Sequence, residues 1–315
     1  MFARVRRLLG RLVVLAGLPA TAAHAAHSVT LPAWVCAHPD AIFVGGFESG
    51  EIAVPHDPSN GSGGTYPGSV SRTLHIAGLG TGTQTVYLYL PPNYTPLHSW
   101  PLLLVLHGVA PWSSRDSYAI AVRDDWSAVA AGAGVLVAAP VADEQVDVNG
   151  TPGATWLVPP TNGPNDYDLF AALLADVASA YNVERTRLYG WGFSAGGHVM
   201  HDLGVNTYSA AFNAGTLAAY SVSAGDLAGL ACQGLSDAQC SGLLAALPRK
   251  IPVDIHIGTS DPNYPYAQSD HSRFLAQGWI DGQTIYYNTF AGGHTYSVSD
   301  LQLAWTHLCP AAVVP

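Results

Sequence analysis

Two short runs, Leu102–Leu106 (LLLVL) and Val135–Ala139 (VLVAA), constrain this chain more than any other feature of it. A strand with one wet face alternates apolar and polar residues. A strand that is apolar at every position has both faces covered, as in a parallel sheet lying between layers of helices. The rest of the pattern agrees. Thr83–Leu90 alternates as an early strand that Pro91-Pro92-Asn93 ends, and Ser117–Ala131 carries apolar residues at helical spacing. Asp166–Tyr181 is the clearest helix, with Leu169, Phe170, Leu173, Leu174, Val177 and Tyr181 forming one stripe. Arg187–Trp191, Thr216–Ser223, Val253–Ile257 and Thr284–Phe290 read as later strands, Ala195–Leu203 as a helix and Asp300–Leu308 as a closing helix. Strands alternating with helices predict an α/β chain with a mostly parallel sheet and helices on both faces.

With 315 residues, 49 % of them hydrophobic and only 11 % charged, the chain can bury a large single core. Its 12 Lys and Arg stand against 22 Asp and Glu, and Arg4, Arg6, Arg7 and Arg11 fall in the first eleven residues. The remainder is strongly acidic, which excludes nucleic acid and an anionic membrane surface as partners. Those arginines, the apolar Leu12–Leu18 and Ala23-His24-Ala25 read as a signal peptide over 1–26. The apolar stretch is too short for a membrane anchor, and Pro19 interrupts it. The expectation is a mature, secreted or periplasmic monomer with an N-terminal extension over 27–70, containing an exposed Gly/Pro/Ser-rich loop or linker at Asp57–Gly68, and one catalytic domain over 71–315.

Export places Cys36, Cys232, Cys240 and Cys309 in an oxidising compartment. Four cysteines allow three connectivities. Cys232 with Cys240 and Cys36 with Cys309 is the favoured set, and four buried thiols the alternative.

The strongest chemical signal is Gly192-Phe193-Ser194-Ala195-Gly196 between a predicted strand and a predicted helix. A serine hydroxyl is a poor nucleophile until it is held on a sharp turn beside a base, and the two glycines give such a turn its room. An ordinary strand-to-helix turn is the competing explanation. His107-Gly108 follows the run Leu102–Leu106, where the loop can offer a backbone N–H to a developing oxyanion. The expected donors are the amides of Ala195 and Val109, with His107 holding the loop. An acid and then a histidine should follow the serine. Asp261, after Val253–Ile257, and His294, in Ala291-Gly292-Gly293-His294 after the last strand, have the right order. Asp254 and Asp270 are weaker acids by position, and His271 and His307 fit better as surface or packing residues.

His198 and His201 have a spacing that can serve a metal but lack an acidic third ligand, so neither metal nor cofactor is expected. Asn60, Asn93 and Asn149 begin N-x-[ST] sequons, which matter only in a glycosylating host. Trp112 and Trp156 stand beside the site as candidate flat apolar walls for substrate, or as ordinary packing. Gly225–Lys250, between two predicted strands, has room for a helix and a small loop but not for a separate lid domain, so an open cleft is expected.

The run Tyr181-Asn182-Val183-Glu184-Arg185 through Leu188-Tyr189-Gly190-Trp191-Gly192-Phe193-Ser194-Ala195-Gly196-Gly197 resembles the secreted α/β-hydrolases of the polyhydroxybutyrate depolymerase and feruloyl esterase group. Leu104-Val105-Leu106-His107-Gly108, Gly258-Thr259-Ser260-Asp261-Pro262 and Gly292-Gly293-His294 match the same group, over roughly Thr83 to Cys309. The resemblance implies the α/β-hydrolase fold without a large lid, and a serine esterase with Ser194, Asp261 and His294 as its triad. The implied substrate is a polyester or a short-chain or aromatic ester, with plant cell-wall feruloyl or acetyl-xylan esters as the alternative. A serine peptidase would need a substrate-gating domain that finds no place here, and a catalytically dead binding protein would lack a triad member. Relatives usually carry more glycine after His107-Gly108, where this chain has Val109-Ala110-Pro111-Trp112.

Overall fold

The structure is a computed structural model and describes residues 27–31, 36 and 55–314. The leader expected over 1–26 lies outside the described residues, as does much of the expected extension. Its elements run β1 (His27–Thr30), β2 (Gly68–His75), β3 (Thr83–Leu90), β4 (Trp100–Leu106), β5 (Ala110–Pro111), α1 (Arg115–Ala133) and β6 (Leu136–Pro140). The hairpin strands β7 (Glu144–Val148) and β8 (Thr151–Thr155) follow, then α2 (Asp166–Ala180), β9 (Val183–Phe193), α3 (Ala195–Val205) and β10 (Leu217–Ser223). The chain continues through α4 (Asp237–Ala246), β11 (Val253–Gly258), α5 (Tyr264–Ala276), β12 (Ile285–Phe290), α6 (Val298–Leu308) and β13 (Ala311–Val314).

Eight strands form the main sheet in the order β12-β11-β10-β9-β4-β6-β3-β2. From β12 to β6 every neighbouring pair is parallel, and β3 and β2 add antiparallel strands at one edge. The aliphatic runs sit in the middle, and every residue of β4 and β6 is buried. Successive side chains of β4 divide between two cores because a strand alternates its faces. Leu102, Leu104 and Leu106 join Phe170 and Leu173 of α2 and Met200 and Leu203 of α3. Leu103 and Val105 join Trp126 of α1 and Trp305 and Leu308 of α6. Helix α2 starts where Asn165 accepts from the Tyr167 amide while Asp168 accepts from the Asn165 amide, so orphan donors at the helix start are answered from both sides.

Strand β9 begins at Val183, four residues before the expected start at Arg187, because Glu184 and Arg185 make its opening look like a loop. Glu184 is nonetheless 4 % exposed. Its carboxylate accepts from the Asp57 amide at 2.7 Å and the Ser99 hydroxyl at 2.8 Å, and meets His56 at 2.6 Å. The segment 57–67 runs as a loop, exposed at Asn60, Ser62, Gly63, Thr65, Tyr66 and Pro67, and is fastened to the neighbouring elements. Ser59 donates its amide to the Val183 carbonyl and Gly64 to that of Ala180, so this segment is bonded along α2 and β9. The proposed boundary at residue 71 falls inside β2. At the other end β1 pairs antiparallel with β13, and both favoured disulfides are made, Cys36 with Cys309 and Cys232 with Cys240.

Between β10 and β11 the chain holds one helix, α4, with the Cys232–Cys240 loop, as its length implied. No helix among the described residues is long and apolar enough to cross a membrane. Replacing Glu184 with Ala takes the acceptor from the buried Ser99 hydroxyl, from the buried Thr186 amide and hydroxyl, and from the half-buried Asp57 amide. It should lower unfolding stability by about 2–4 kcal/mol, measured by urea denaturation, with the 55–64 segment becoming the first site of protease cleavage.

Candidate active site

The carboxyl ends of β9, β11 and β12 deliver the three residues in the order expected. Ser194 caps α3 with φ 54° and ψ −118°, a conformation costly for any residue with a side chain. The neighbouring glycines are what permit the turn. A Cβ on Gly192 would lie 2.1 Å from the Gly196 carbonyl oxygen, and one on Gly196 would lie 2.3 Å from that of Leu106. The turn is held by the Ser194 amide donating to the Ser223 carbonyl at 2.9 Å and by the His198 amide donating to the Ser194 carbonyl at 3.0 Å.

His294 Nε2 lies 2.8 Å from Ser194 Oγ, and His294 Nδ1 lies 2.9 Å from Asp261 Oδ2. Asp261 is buried, and its second oxygen accepts the Asn263 amide at 2.8 Å. A buried carboxylate accepts hydrogen bonds, so Nδ1 carries the proton and Nε2 is left to take one from the serine. The acid and histidine loops are joined by their own backbones, with Thr259 donating to the Phe290 carbonyl and Ser260 to that of Gly292. The imidazole, 39 % exposed, packs its ring 5.1 Å from that of Phe193.

The loop after β4 closes over the serine. A Cβ on Gly108 would come 3.0 Å from that of Ser194. His107 is buried, and burial pulls its pKa down to about 4, so it is neutral. Its Nε2 accepts the Ala142 amide at 3.1 Å, which leaves Nδ1 to donate to the Gly108 carbonyl at 2.6 Å. It therefore holds the loop in the manner expected. Ala195 is the first residue of α3, and the opening amides of a helix have no partner within it. Val109 stands on the facing loop with an exposed side chain.

Trp156 is not a wall of the cleft. It is 5 % exposed, donates Nε1–H to the His107 carbonyl at 2.9 Å and packs against His107 and Phe170. A buried indole must find an acceptor, and this one found the loop it was expected to flank. Trp112 is half-buried, with the Arg115 guanidinium 4.2 Å over its ring. His198 sits 2.8 Å from the Asp226 carbonyl, while His201 is buried 3.3 Å from the Tyr220 hydroxyl, so the pair does not converge.

Two residues and one hairpin were not singled out by sequence. Asn263 holds Asp261, and its side chain also donates to the carbonyl of Ala224, itself at φ 56°. Tyr296, two residues past His294, packs on Phe193 and Trp191 and donates to Asp125 of α1 at 2.7 Å. The β7–β8 hairpin beside Val109 had a usable signal in Asn149-Gly150, the dipeptide most typical of a two-residue hairpin turn.

Among the described residues one group gathers metal-capable atoms, Asp254, His256 and His307, all within 4.8 Å. It is closed by its own hydrogen bonds. Asp254 accepts from His256 and His307 at 2.7 Å each, and from Ser221 and Asn288 at 2.8 Å each. Burial opposes the charge on His256, but Asp254, joined by Asp300, outweighs it and pushes the imidazole up to about 9. Asp300 is held down to about 2, chiefly by His256. This ion network joins β11 to α6. Because the folded pKa of His256 is raised from 6.5 to about 9, its contribution to stability is complete below about 6.5 and is lost as pH rises through about 9. The stability difference between wild type and His256→Asn, from urea midpoints between pH 6 and 10, should shrink over that window; a pH-independent difference would refute it.

The eight-stranded sheet, the helices on both faces and the turn at Ser194 define an α/β-hydrolase fold. No protein-family model matches the sequence, and no curated protein does either. Solved structures share the fold at low identity. A ferulic acid esterase superposes with a TM-score of 0.56 at 15 % identity, covering 76 % of this chain and 96 % of its own. A feruloyl esterase module from Clostridium thermocellum in complex with sinapinate gives 0.55 at 17 %, covering 82 % and 94 %. A fluorophosphonate-binding serine hydrolase from Staphylococcus aureus gives 0.55 at 14 %, covering 78 % and 99 %.

Proposed function

We propose that this chain is an exported serine carboxylic-ester hydrolase that works through an acyl-enzyme. The observation that carries the reading is the unbroken line from Ser194 Oγ through His294 to Asp261, at 2.8 and 2.9 Å. Ser194 Oγ attacks the ester carbonyl carbon as its proton passes to His294 Nε2. Asp261 orients the imidazole and stabilises the imidazolium. The amides of Ala195 and Val109 receive the charge that develops on the carbonyl oxygen. Collapse of the tetrahedral intermediate breaks the bond to the alcohol, which leaves with the proton from His294. Water, deprotonated by the same imidazole, then attacks the acyl carbon and frees Ser194.

Shape supports a reading of the substrate class. One short helix stands where a lid domain would insert, so a bulky or polymeric ester can approach, and polyesters or short-chain and aromatic esters fit such a cleft. The sinapinate carried by one structural neighbour favours aromatic acyl groups among these. Export is supported by the two disulfides and the leader-like start.

Ser194→Ala should reduce kcat on p-nitrophenyl acetate by about 10⁴-fold or more while circular dichroism is unchanged. Retention of a tenth of the activity would remove Ser194 from the mechanism. The base must be unprotonated, so kcat/KM should fall on the acid side of the profile. A flat acid limb would point to carboxylate chemistry instead.

A further inference from the structure

Strands β7 and β8 form a hairpin because Asn149 and Gly150 both take positive φ, 53° and 81°, as a tight two-residue turn between twisted strands requires. The Gly150 amide donates to Asp147 Oδ1 at 2.9 Å and locks the turn. The second strand of the hairpin pairs with the segment just after the expected oxyanion donor, Ala154 opposite Ala110 and Gly153 opposite Pro111. Hairpin and oxyanion loop are thus one small sheet. Between them lies a cavity of about 380 Å³. Val109, Ala110 and Pro111 form one wall; Val148, Thr151 and Pro152 form the other. Among the described residues no ionisable side chain lines it. Val109 and Val148 remain 40 % and 41 % exposed beside it.

We propose that this cavity binds an uncharged, apolar arm of the ester, and that the β7–β8 hairpin sets which arms are accepted. The inference rests on the ester-hydrolase reading and goes beyond it by assigning the specificity to an element outside the triad. Continuity with the reaction site supports the occupant. Val109, the expected oxyanion donor, lines the cavity, and the neighbouring Gly108 stands against Ser194. The volume lies at the lower end of the range that takes small organic ligands, enough for an aromatic ring or a short aliphatic chain. A carboxylate or ammonium there would lose its water and find no partner. Because β8 is paired to β5, an arm seated on the hairpin also braces the oxyanion loop. Remote binding energy of that kind appears in kcat/KM rather than in ground-state binding alone.

The test is a ratio of kcat/KM values. In an acyl series, p-nitrophenyl hexanoate is compared with p-nitrophenyl acetate; in an alcohol series, 2-phenylethyl acetate is compared with ethyl acetate. Val148→Asp should lower the long-to-short ratio by about tenfold in the series whose arm enters the cavity. Val148→Thr, which keeps the strand's branched shape, should lower it in the same series by less. Glu144→Gln, at the far end of the hairpin, should leave both ratios at the wild-type value. A fall in the acyl series assigns the cavity to the acyl arm, and a fall in the alcohol series assigns it to the alcohol arm. Ratios that stay within twofold in both series overturn the proposal, whether or not overall rates fall. If the wild type hydrolyses no ester, the functional reading fails separately. Calorimetric titration of 1-naphthol into Ser194→Ala then still decides the cavity: saturable binding weakened by Val148→Asp supports it, and absence of binding overturns it.

Discussion

The strained backbone at Ser194 is the constraint on which the rest of the site depends. A side-chain-bearing residue at φ 54° persists only where its surroundings leave no alternative. Here they are close packing and directed hydrogen bonds. Gly196 lies against the Leu106 carbonyl, and the Ser194 amide reaches across to Ser223. Both partners belong to neighbouring strands that are buried along their whole length, β4 and β10. The aliphatic runs that dictate the parallel sheet are therefore also what hold Ser194 out of the sheet's end.

Buried charge is handled in contrasting ways across the molecule. Asp254 is saturated by four donors, two of them histidines, and its carboxyl stays below the usual range although burial alone would raise it. Asp166 accepts the Leu157 amide from inside the core, and burial pushes it up to about 8. Asp270, pushed by burial to about 7, accepts the Leu227 amide and an arm of Arg273. The number and charge of the donors decide which carboxylates remain ionised. Asp166 braces the loop at Leu157 and Asp270 the loop at Leu227.

Much of this was legible in the chain before its fold was known, and for identifiable reasons. Continuous aliphatic runs have one stable setting, and Gly-x-Ser-x-Gly at a strand-helix junction has few uses, so β4, β6, Ser194, Asp261 and His294 could be named. Long-range polar contacts leave no such periodic trace. Glu184 and Arg185 disguised the start of β9 because nothing local announces the His56 and Ser99 that accompany the Glu184 carboxylate. Trp156 was misplaced for the same reason: a tryptophan near a site reads as a wall until its indole N–H is seen to need the His107 carbonyl. The hairpin is legible in Asn149-Gly150, a signal local to two residues.

The imidazole of His294 poses the last physical question, since a ring 39 % exposed on a glycine-flanked loop should be free to turn. Its single carboxylate bond restrains one nitrogen but leaves the loop itself unanchored. Tyr296 supplies the anchor. Its hydroxyl reaches Asp125 on α1, its ring packs edge-on against Trp191 and Phe193, and Phe193 in turn flanks the imidazole. The His294 loop is thus tied on one side to the acid loop, through Ser260 and Gly292, and on the other to α1. Phe193 immediately precedes Ser194, so the ring that flanks the imidazole belongs to the same turn that presents the serine, and His294 and Ser194 share a support in addition to their own hydrogen bond.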